Sequence, residues 1–400
     1  MKRRSFLSQA TGSAALLSAA ARSPAQDPAP LSIPADPALL VLTPPVAMGP
    51  RTDGMEFVWG VSRHAKGTVE IKTGAGLRTF GGDDFGFSSQ GEKVLRVRVH
   101  GLEAGQSYPY RVLTEAMSEP AARHDTAWRE LRTLDAQAAG TRFVVWNDTH
   151  LNGETLTKLH EGTPEADFLV WNGDICNDWT KEELLIPTLL HPAGTDFTAK
   201  APLVFVWGNH DLRGAHGFRL ANYVATPSGK SWYAFRSGPV AVVVLNTGED
   251  KADDHLTFKG RVACEPLRAE QAAWLKNEVL TDPALRDAPY RSVICHIPLR
   301  WTHEQGAGQR EYDSFSQRSR KHWHEALVAW KAQVVISGHM HQVAWIPAAE
   351  GFPYAQLTGG GPGPDKATRL EVTADGSRLR LNLMSLDGKS VVDQEFSPLG

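Results

Sequence analysis

Five short apolar runs, each closed by a cluster of metal-type ligands, constrain this chain more than any other feature. The runs are Phe143-Val144-Val145-Trp146, Phe168-Leu169-Val170-Trp171, Leu203-Val204-Phe205-Val206-Trp207, Ser292-Val293-Ile294 and Val334-Val335-Ile336. They are continuous and rich in β-branched and aromatic side chains, which suits strands buried on both faces in a parallel sheet between helices. The clusters that follow are Asp148-Thr149-His150, Gly173-Asp174, Gly208-Asn209-His210-Asp211, Cys295-His296 and Gly338-His339-Met340-His341. All five fall beyond the carboxyl ends of strands, where open α/β sheets collect their functional groups.

Residues two apart on an extended chain project to the same side, so Asp148 with His150, and His339 with His341, are expected to aim paired ligands at one point. Carboxylate oxygen, amide oxygen and imidazole nitrogen together suit divalent Mn, Fe, Zn or Ni. Cysteine does not dominate the set, which argues against a structural thiolate zinc site. Asp-x-His or Gly-Asp alone is a common strand end; the glycines of Gly-Asn-His-Asp and Gly-His-x-His let the backbone bring side chains together. Only the joint set carries the metal reading. Trp146, Trp171 and Trp207 stand just before three clusters and read as packing beneath the site rather than as a binding wall.

The order Asp-x-His, Gly-Asp, Gly-Asn-His-Asp, His and Gly-His-x-His resembles the calcineurin-like metallophosphoesterase superfamily over residues 141 to 400. The resemblance implies an αββα sandwich. It implies that Asp148, His150, Asp174 and His341 hold one metal, and Asp174, Asn209, His296 and His339 the second, with Asp174 as the bridge. It further implies that His210 is not a ligand but stands beside the phosphate, donating to the leaving-group oxygen or stabilising charge on the transferred group, with Asp211 orienting its imidazole. Two cations about 3.5 to 4 Å apart can clamp a phosphoryl group and convert a bound water into an attacking hydroxide near neutral pH. The outgoing alkoxide would take its proton from His210. The expected function is hydrolysis of a small phosphomonoester with two divalent ions as cofactors. A phosphodiesterase using the same site is the second reading, and a non-catalytic, metal-bearing binding module is the third. Purple acid phosphatases are similar in order but carry a metal-bound tyrosine three residues after the Gly-Asp aspartate, where this chain has Asn177, and usually glycine where it has His150. An iron-tyrosinate chromophore is therefore not expected.

Upstream, Lys2-Arg3-Arg4-Ser5-Phe6-Leu7 and the mild apolar stretch from Ala10 to Ala21 resemble a bacterial twin-arginine export signal, with Ser23-Pro24-Ala25 as the cleavage region. Residues 1–25 are assigned to this signal, 26–35 to a proline- and alanine-rich linker, and the protein to the periplasm or the outside of the cell. That stretch is too short and too rich in small residues to span a bilayer, and no later segment qualifies, so no stable membrane insertion is expected.

Between residues 36 and 137 the pattern changes to period two, as in Glu56-Phe57-Val58-Trp59-Gly60-Val61 and Val94-Leu95-Arg96-Val97-Arg98-Val99. The segment from Val97 to Val112 resembles a fibronectin type III module of the kind that precedes the catalytic domain of purple acid phosphatases. A small all-β sandwich with a covering role is expected there, followed by the α/β catalytic domain over 138–400.

A net charge of −3 and a pI near 6.6 argue against a broad basic surface for long nucleic acid, and favour a small phosphoester partner. Cys176 and Cys295 read as packed thiols, while Cys264 is left open to a disulfide. Ala269 to Leu280 has helical composition, with Trp274, Leu275 and Val279 on one face. The stretch from Arg300 to His324, with Arg300, His303, Arg310, His322 and His324, reads as a solvated insertion, or alternatively as a cationic substrate lid. The Gly359-Gly360-Gly361-Pro362-Gly363-Pro364 run is expected to form a loop at the rim of the site, with Asp375-Gly376 and Asp387-Gly388 as hairpin turns after it.

Overall fold

Strand Thr141–Asn147 pairs in parallel with Phe168–Asn172 and antiparallel with Thr368–Ala374. A strand so flanked has two faces to cover and no edge, which is why Phe143, Val144, Val145 and Trp146 are all apolar and all fully buried. The computed structural model describes residues 39–83, 85–301 and 309–400, so the assigned signal and linker lie outside the described residues.

The five runs do not share one parallel sheet. Three of them belong to a nine-stranded sheet whose order is Ser390–Phe396, Leu379–Ser385, Thr368–Ala374, Thr141–Asn147, Phe168–Asn172, Leu203–Val206, Val46–Arg51, Gly54–Gly60 and Val94–Val99. The other two lie in a six-stranded sheet ordered Tyr233–Ser237, Val240–Leu245, Tyr290–Cys295, Val334–Ser337, Ala355–Thr358 and Ala344–Ile346. The sheets stack on a common core of Val145, Val170 and Val204 from one and Val242, Val244, Ile294 and Ile336 from the other. On the outer face of the first, helix Gly153–Gly162 buries Leu156 and Leu159 against Trp146 and Trp171. Its Asn152 side chain accepts from the Thr155 amide, a cap worth about 1 kcal/mol. On the outer face of the second, Trp323 and Leu327 of helix Gln309–Ala329 pack with Val243, Leu245 and Val293. Continuous apolar patterning of the strands is satisfied by this αββα stack as well as by a single doubly covered sheet, so periodicity could not separate the two.

The expected helix Ala269 to Leu280 begins earlier, as Cys264–Trp274, and continues as a wider π turn over Leu275–Val279 that sends Leu275 and Val279 into the core. Cys176, Cys264 and Cys295 are all buried free thiols, which closes the question left open for Cys264.

The described part of residues 300–324 is packed scaffold rather than a solvated insertion. Arg300 is buried beside the Phe352 ring, and its Nη1 donates to the carbonyls of Pro347 (2.9 Å) and Tyr354 (2.8 Å). A guanidinium committed to two backbone oxygens is a brace and not a lid. His322 meets Glu265 and His324 meets the Tyr354 hydroxyl; His303 and the Arg310 side chain lie outside what is described.

At the amino-terminal end, strands Ala65–Thr73, Gly76–Phe80, Ser107–Ala116 and Arg123–Asp125 form a third sheet, with the short strands Gln90–Gly91 and Arg129–Arg132 paired to it. It closes over Phe57, Trp59, Val97 and Val99 to make a sandwich core of its own. The facing sheet of that sandwich is continuous with the nine-stranded sheet, because Val46–Arg51 pairs in parallel with Leu203–Val206 at Met48 and Leu203. Among the described residues no helix is long and apolar enough to cross a membrane.

Candidate metal centre

The polar clusters leave their strands on sharply turned backbone, and the turns bring them together. Asp148 (φ 47°), His150 (42°), Asp174 (52°), His339 (70°) and His341 (52°) are all left-handed, a conformation that costs a non-glycine residue of the order of 1 kcal/mol or more. This corrects the reasoning from an extended chain: the paired ligands converge because each turns out of the strand direction. The strain is held by hydrogen bonds. The His150 amide donates to Asp174 O at 3.0 Å, and the His339 amide donates to both carboxylate oxygens of Asp148 at 2.9 and 3.0 Å. Glycine is required where these segments touch: a methyl group at Gly338 would collide with Asp148 Oδ2, and one at Gly208 with the amide and carboxylate of Asp174.

Asp148, His150, Asp174 and His341 each place one ligand atom within 4.8 Å of the others, and Asp174, His296 and His339 form a second such group. Asp174 is common to both. Asn209 Oδ1 lies 2.8 Å from His339 Nδ1, which adds the amide to the second group. All seven ligands expected from the sequence are thus gathered at one place.

The imidazoles are poised as ligands. His150 Nδ1 faces Asn177 Oδ1 at 2.8 Å, so this nitrogen carries the proton and leaves Nε2 bare, 3.0 Å from His341 Nε2. Two ring nitrogens turned on one another in this way suit a cation between or beside them. His296 Nδ1 donates to the Asn172 carbonyl at 2.8 Å, while its Nε2 is buried without a hydrogen-bond partner. Asp174 Oδ2 lies 3.1 Å from it, within ion-pair distance. A buried ring nitrogen held against carboxylates is a position where a divalent ion would take the place of the proton, and the donor set fits one.

Charge at the site points the same way. Burial resists protonation of His296, yet Asp174 and Asp148 pull it up to about 10. The carboxylates therefore demand a cation at that position. Burial and the neighbouring His296 charge push His339 down to about 4. Burial works against ionised Asp174, but His296, His210 and His150 hold it well below the usual carboxylate range.

His210 stands at the edge of this cluster, its ring centroid 5.2 Å from that of His150. Its Nδ1 donates to the Asn177 carbonyl, with Asp178 Oδ1 at 3.8 Å. Burial opposes its protonation; Asp178 and Asp174 outweigh that, and its pKa is raised. Asp211 does not orient the ring. It is fully buried, and its Oδ2 accepts from the amides of Gly208 (2.9 Å) and Asp174 (3.0 Å), its Oδ1 from Ile175. It pins the backbone that carries Asp174, and burial together with the Asp174 charge pushes it up to about 7. Orientation of His210 falls to Asn177, which the sequence marked only as a departure from a neighbouring family. Arg213, not singled out from the sequence, also meets His210, with Nη1 at 3.1 Å from Nε2. Its one sequence signal is an arginine two residues beyond Asp211.

Beneath the site Trp146 and Trp171 are fully buried, their indole nitrogens donating to the hydroxyls of Thr163 and Thr149, and Trp207 packs in the same core. The glycine run is the expected rim: Gly361 abuts His341, and Gly359 abuts Asn147.

A site with two ligand groups sharing a carboxylate, beside a non-ligand histidine, can bind and hydrolyse phosphoric esters. The model of the calcineurin-like phosphoesterases matches residues 141–343, the segment that carries all seven candidate ligands. The chain belongs to the calcineurin-like phosphoesterase family. As a member it is a metal-dependent phosphoric ester hydrolase. Among sequence relatives, the human serine/threonine-protein phosphatase CPPED1 (Homo sapiens) is 27% identical over 143 residues, 36% of this chain and 42% of that protein. The Danio rerio protein of the same name is 25% identical over 226 residues, 54% and 66% of the two chains. The match thus spans between two fifths and two thirds of these relatives' length. Among solved structures, purple acid phosphatase PPD1 from yellow lupin (Lupinus luteus) superposes with a TM-score of 0.67 at 14% identity, covering 88% of this chain and 74% of that one. PhoD gives 0.61 at 12% identity, covering 88% of each. These two share the fold.

Proposed function

We propose that this protein is an exported phosphomonoesterase that works with two divalent ions, one held by Asp148, His150, Asp174 and His341 and the other by Asp174, Asn209, His296 and His339. The sharing of Asp174 between the two ligand groups is the observation that carries the reading. Bound there, two cations would polarise phosphoryl oxygens and increase the acidity of water. The chain does the rest. His210, its Nδ1–H fixed on the Asn177 carbonyl, presents Nε2 to the departing oxygen and gives it a proton. Asp211 keeps the Asp174 backbone turned.

The phosphatase relatives, the modest net charge and the absence of a broad basic surface in the composition support a small monoester. The basic and then apolar pattern of residues 2–21 supports export. Purified protein supplied with Mn, Fe, Zn or Ni should hydrolyse aryl monoesters faster than aryl diesters. A preference for diesters rejects the monoester assignment, and no turnover with any of the metals leaves only a binding module. Replacing Arg3 and Arg4 by lysine should retain the protein in the cytoplasm; an unchanged distribution between compartments rejects export.

A further inference from the structure

We propose that Arg213 is a positioning residue for His210: its guanidinium, clamped by Glu249 and Asp250, fixes the plane of the imidazole that serves the departing oxygen. This rests on the phosphoesterase reading above.

Arg213 directly follows the short His210–Leu212 turn, and three of its contacts hold it from the side away from His210. Nε donates to Glu249 Oε1 at 2.9 Å, and Nη2 donates to Glu249 Oε2 at 2.8 Å and Asp250 Oδ1 at 3.2 Å. This is the two-pronged arginine–carboxylate geometry that restrains orientation as well as position. Nη1 is left, 3.1 Å from His210 Nε2 and 3.4 Å from Nδ1. Nearly equal reach to both ring nitrogens puts Nη1 over the face of the imidazole and not at the end of either ring N–H. With Nδ1 tied to the Asn177 carbonyl, the ring is held at one nitrogen and on one face.

The clamp is itself braced from two helices. Arg268, buried, donates from Nε to Thr247 O (2.9 Å) and from Nη2 to Glu249 O (2.6 Å), and Arg318 Nε donates to Asp250 O at 3.1 Å. Lys251 Nζ lies 2.7 Å from Asp250 Oδ1. Arg213 is thus ion-paired with both Glu249 and Asp250. A guanidinium already committed to two carboxylates has little left to offer a phosphate, which favours a brace over a phosphate-binding role.

In the step concerned, a water oxygen bonds to phosphorus and the bond from phosphorus to the alcohol oxygen breaks. The electron pair goes to that oxygen, which takes the proton from His210 Nε2. In the net balance a proton of the water replaces the one given up, and the products are alcohol and inorganic phosphate. Twisting the imidazole misaims that proton, and misplacement by about 1 Å can cost on the order of 100-fold.

The test is a double-substitution cycle read with two leaving groups. Arg213→Lys keeps a cation for the buried Glu249 but loses the fork. It should lower kcat for an alkyl phosphate by about 10- to 100-fold with KM little changed, and affect a nitrophenyl phosphate, whose leaving group needs little protonation, far less. In a His210→Ala background the same change should have no further effect. The neutral pair Arg213→Gln with Glu249→Gln, which leaves no buried charge unpaired, should behave alike, with metal content and melting temperature near those of the wild type. Equal losses for both leaving groups, a loss that adds to that of His210→Ala, or no loss at all overturns the proposal. A wild-type protein that cleaves only diesters refutes the monoester reading separately, and the cycle is then run with alkyl and nitrophenyl diesters.

Discussion

At the residue scale, the division of labour between ligands and non-ligands makes opposite forecasts. His210 touches no ligand atom through its Nε2 and owes its place to Asn177 and Arg213. His210→Ala should therefore keep its metal, measured by elemental analysis, and lose about 10²- to 10⁴-fold in kcat. Wild-type turnover in a metal-replete variant would remove its role. Gly338→Ala does the reverse: the added methyl group displaces Asp148 Oδ2, part of a carboxylate that the His339 amide holds through both oxygens. Metal affinity should fall at least about 10-fold, with activity restored in part by excess metal. Unchanged affinity would mean that Asp148 has room to move. Asn177 shows how much a single residue can hide. Its identity could be read as a missing tyrosine, but its two contacts, Oδ1 to His150 and carbonyl to His210, exist only once the loops are folded.

At the scale of elements, helices Cys264–Trp274 and Gln309–Ala329 are tied together at Glu265, which meets Lys321 and His322. Burial alone would raise this carboxyl, but the hydrogen bonds from Lys321 and His322 bring it down to about 2. A depressed acid contributes stability that is present above its ordinary value near 4.5 and is lost as pH falls through about 2. Because Glu265 is 44% exposed, solvent screening limits the contribution to under about 1 kcal/mol. Glu265→Gln should lower the urea midpoint slightly at pH 7, and the gap from the wild type should close as pH falls from 4.5 towards 2. A gap that stays constant across that range would assign the effect to packing. The same helix pair illustrates what patterning misses. Gln309–Ala329 is polar enough to read as a solvated insertion, yet Trp323, Ala326 and Leu327 seat it on the second sheet.

For the whole molecule, the shared sheet is the decisive feature. Removing residues 1–137 would strip Val46–Arg51 from the edge of Leu203–Val206 and, by taking away Val46, Met48 and Val58, uncover the core they share with Trp171 and Trp207. A fragment of residues 138–400 should therefore be insoluble or unfolded, by circular dichroism and gel filtration. The intact chain should unfold in one transition by calorimetry. A soluble, folded and active fragment would show that the sandwich is dispensable.

The sequence by itself marked the strands, the candidate ligand set and the family. Buried strands must be continuously apolar, and metal chemistry admits few side chains, so both leave marks that survive without coordinates. Patterning could not show that the five runs divide between two stacked sheets, because a strand buried by a sheet and one buried by a helix carry the same pattern; the αββα arrangement was expected from the family resemblance alone. Nor could it show the left-handed turns at Asp148, His150, Asp174, His339 and His341, since L-residues enter that region only when the surrounding structure compels them. Tertiary structure alone assigned Asp211 to the backbone, His210 to Asn177 and Arg213, and Glu249 and Asp250 to the clamp. The contacts of Asp211 with Asp174, of His210 with Asn177 and of Arg213 with Glu249 join segments tens of residues apart, and hydrogen bonds acting over about 3 Å are fixed by the final packing and not by any local preference.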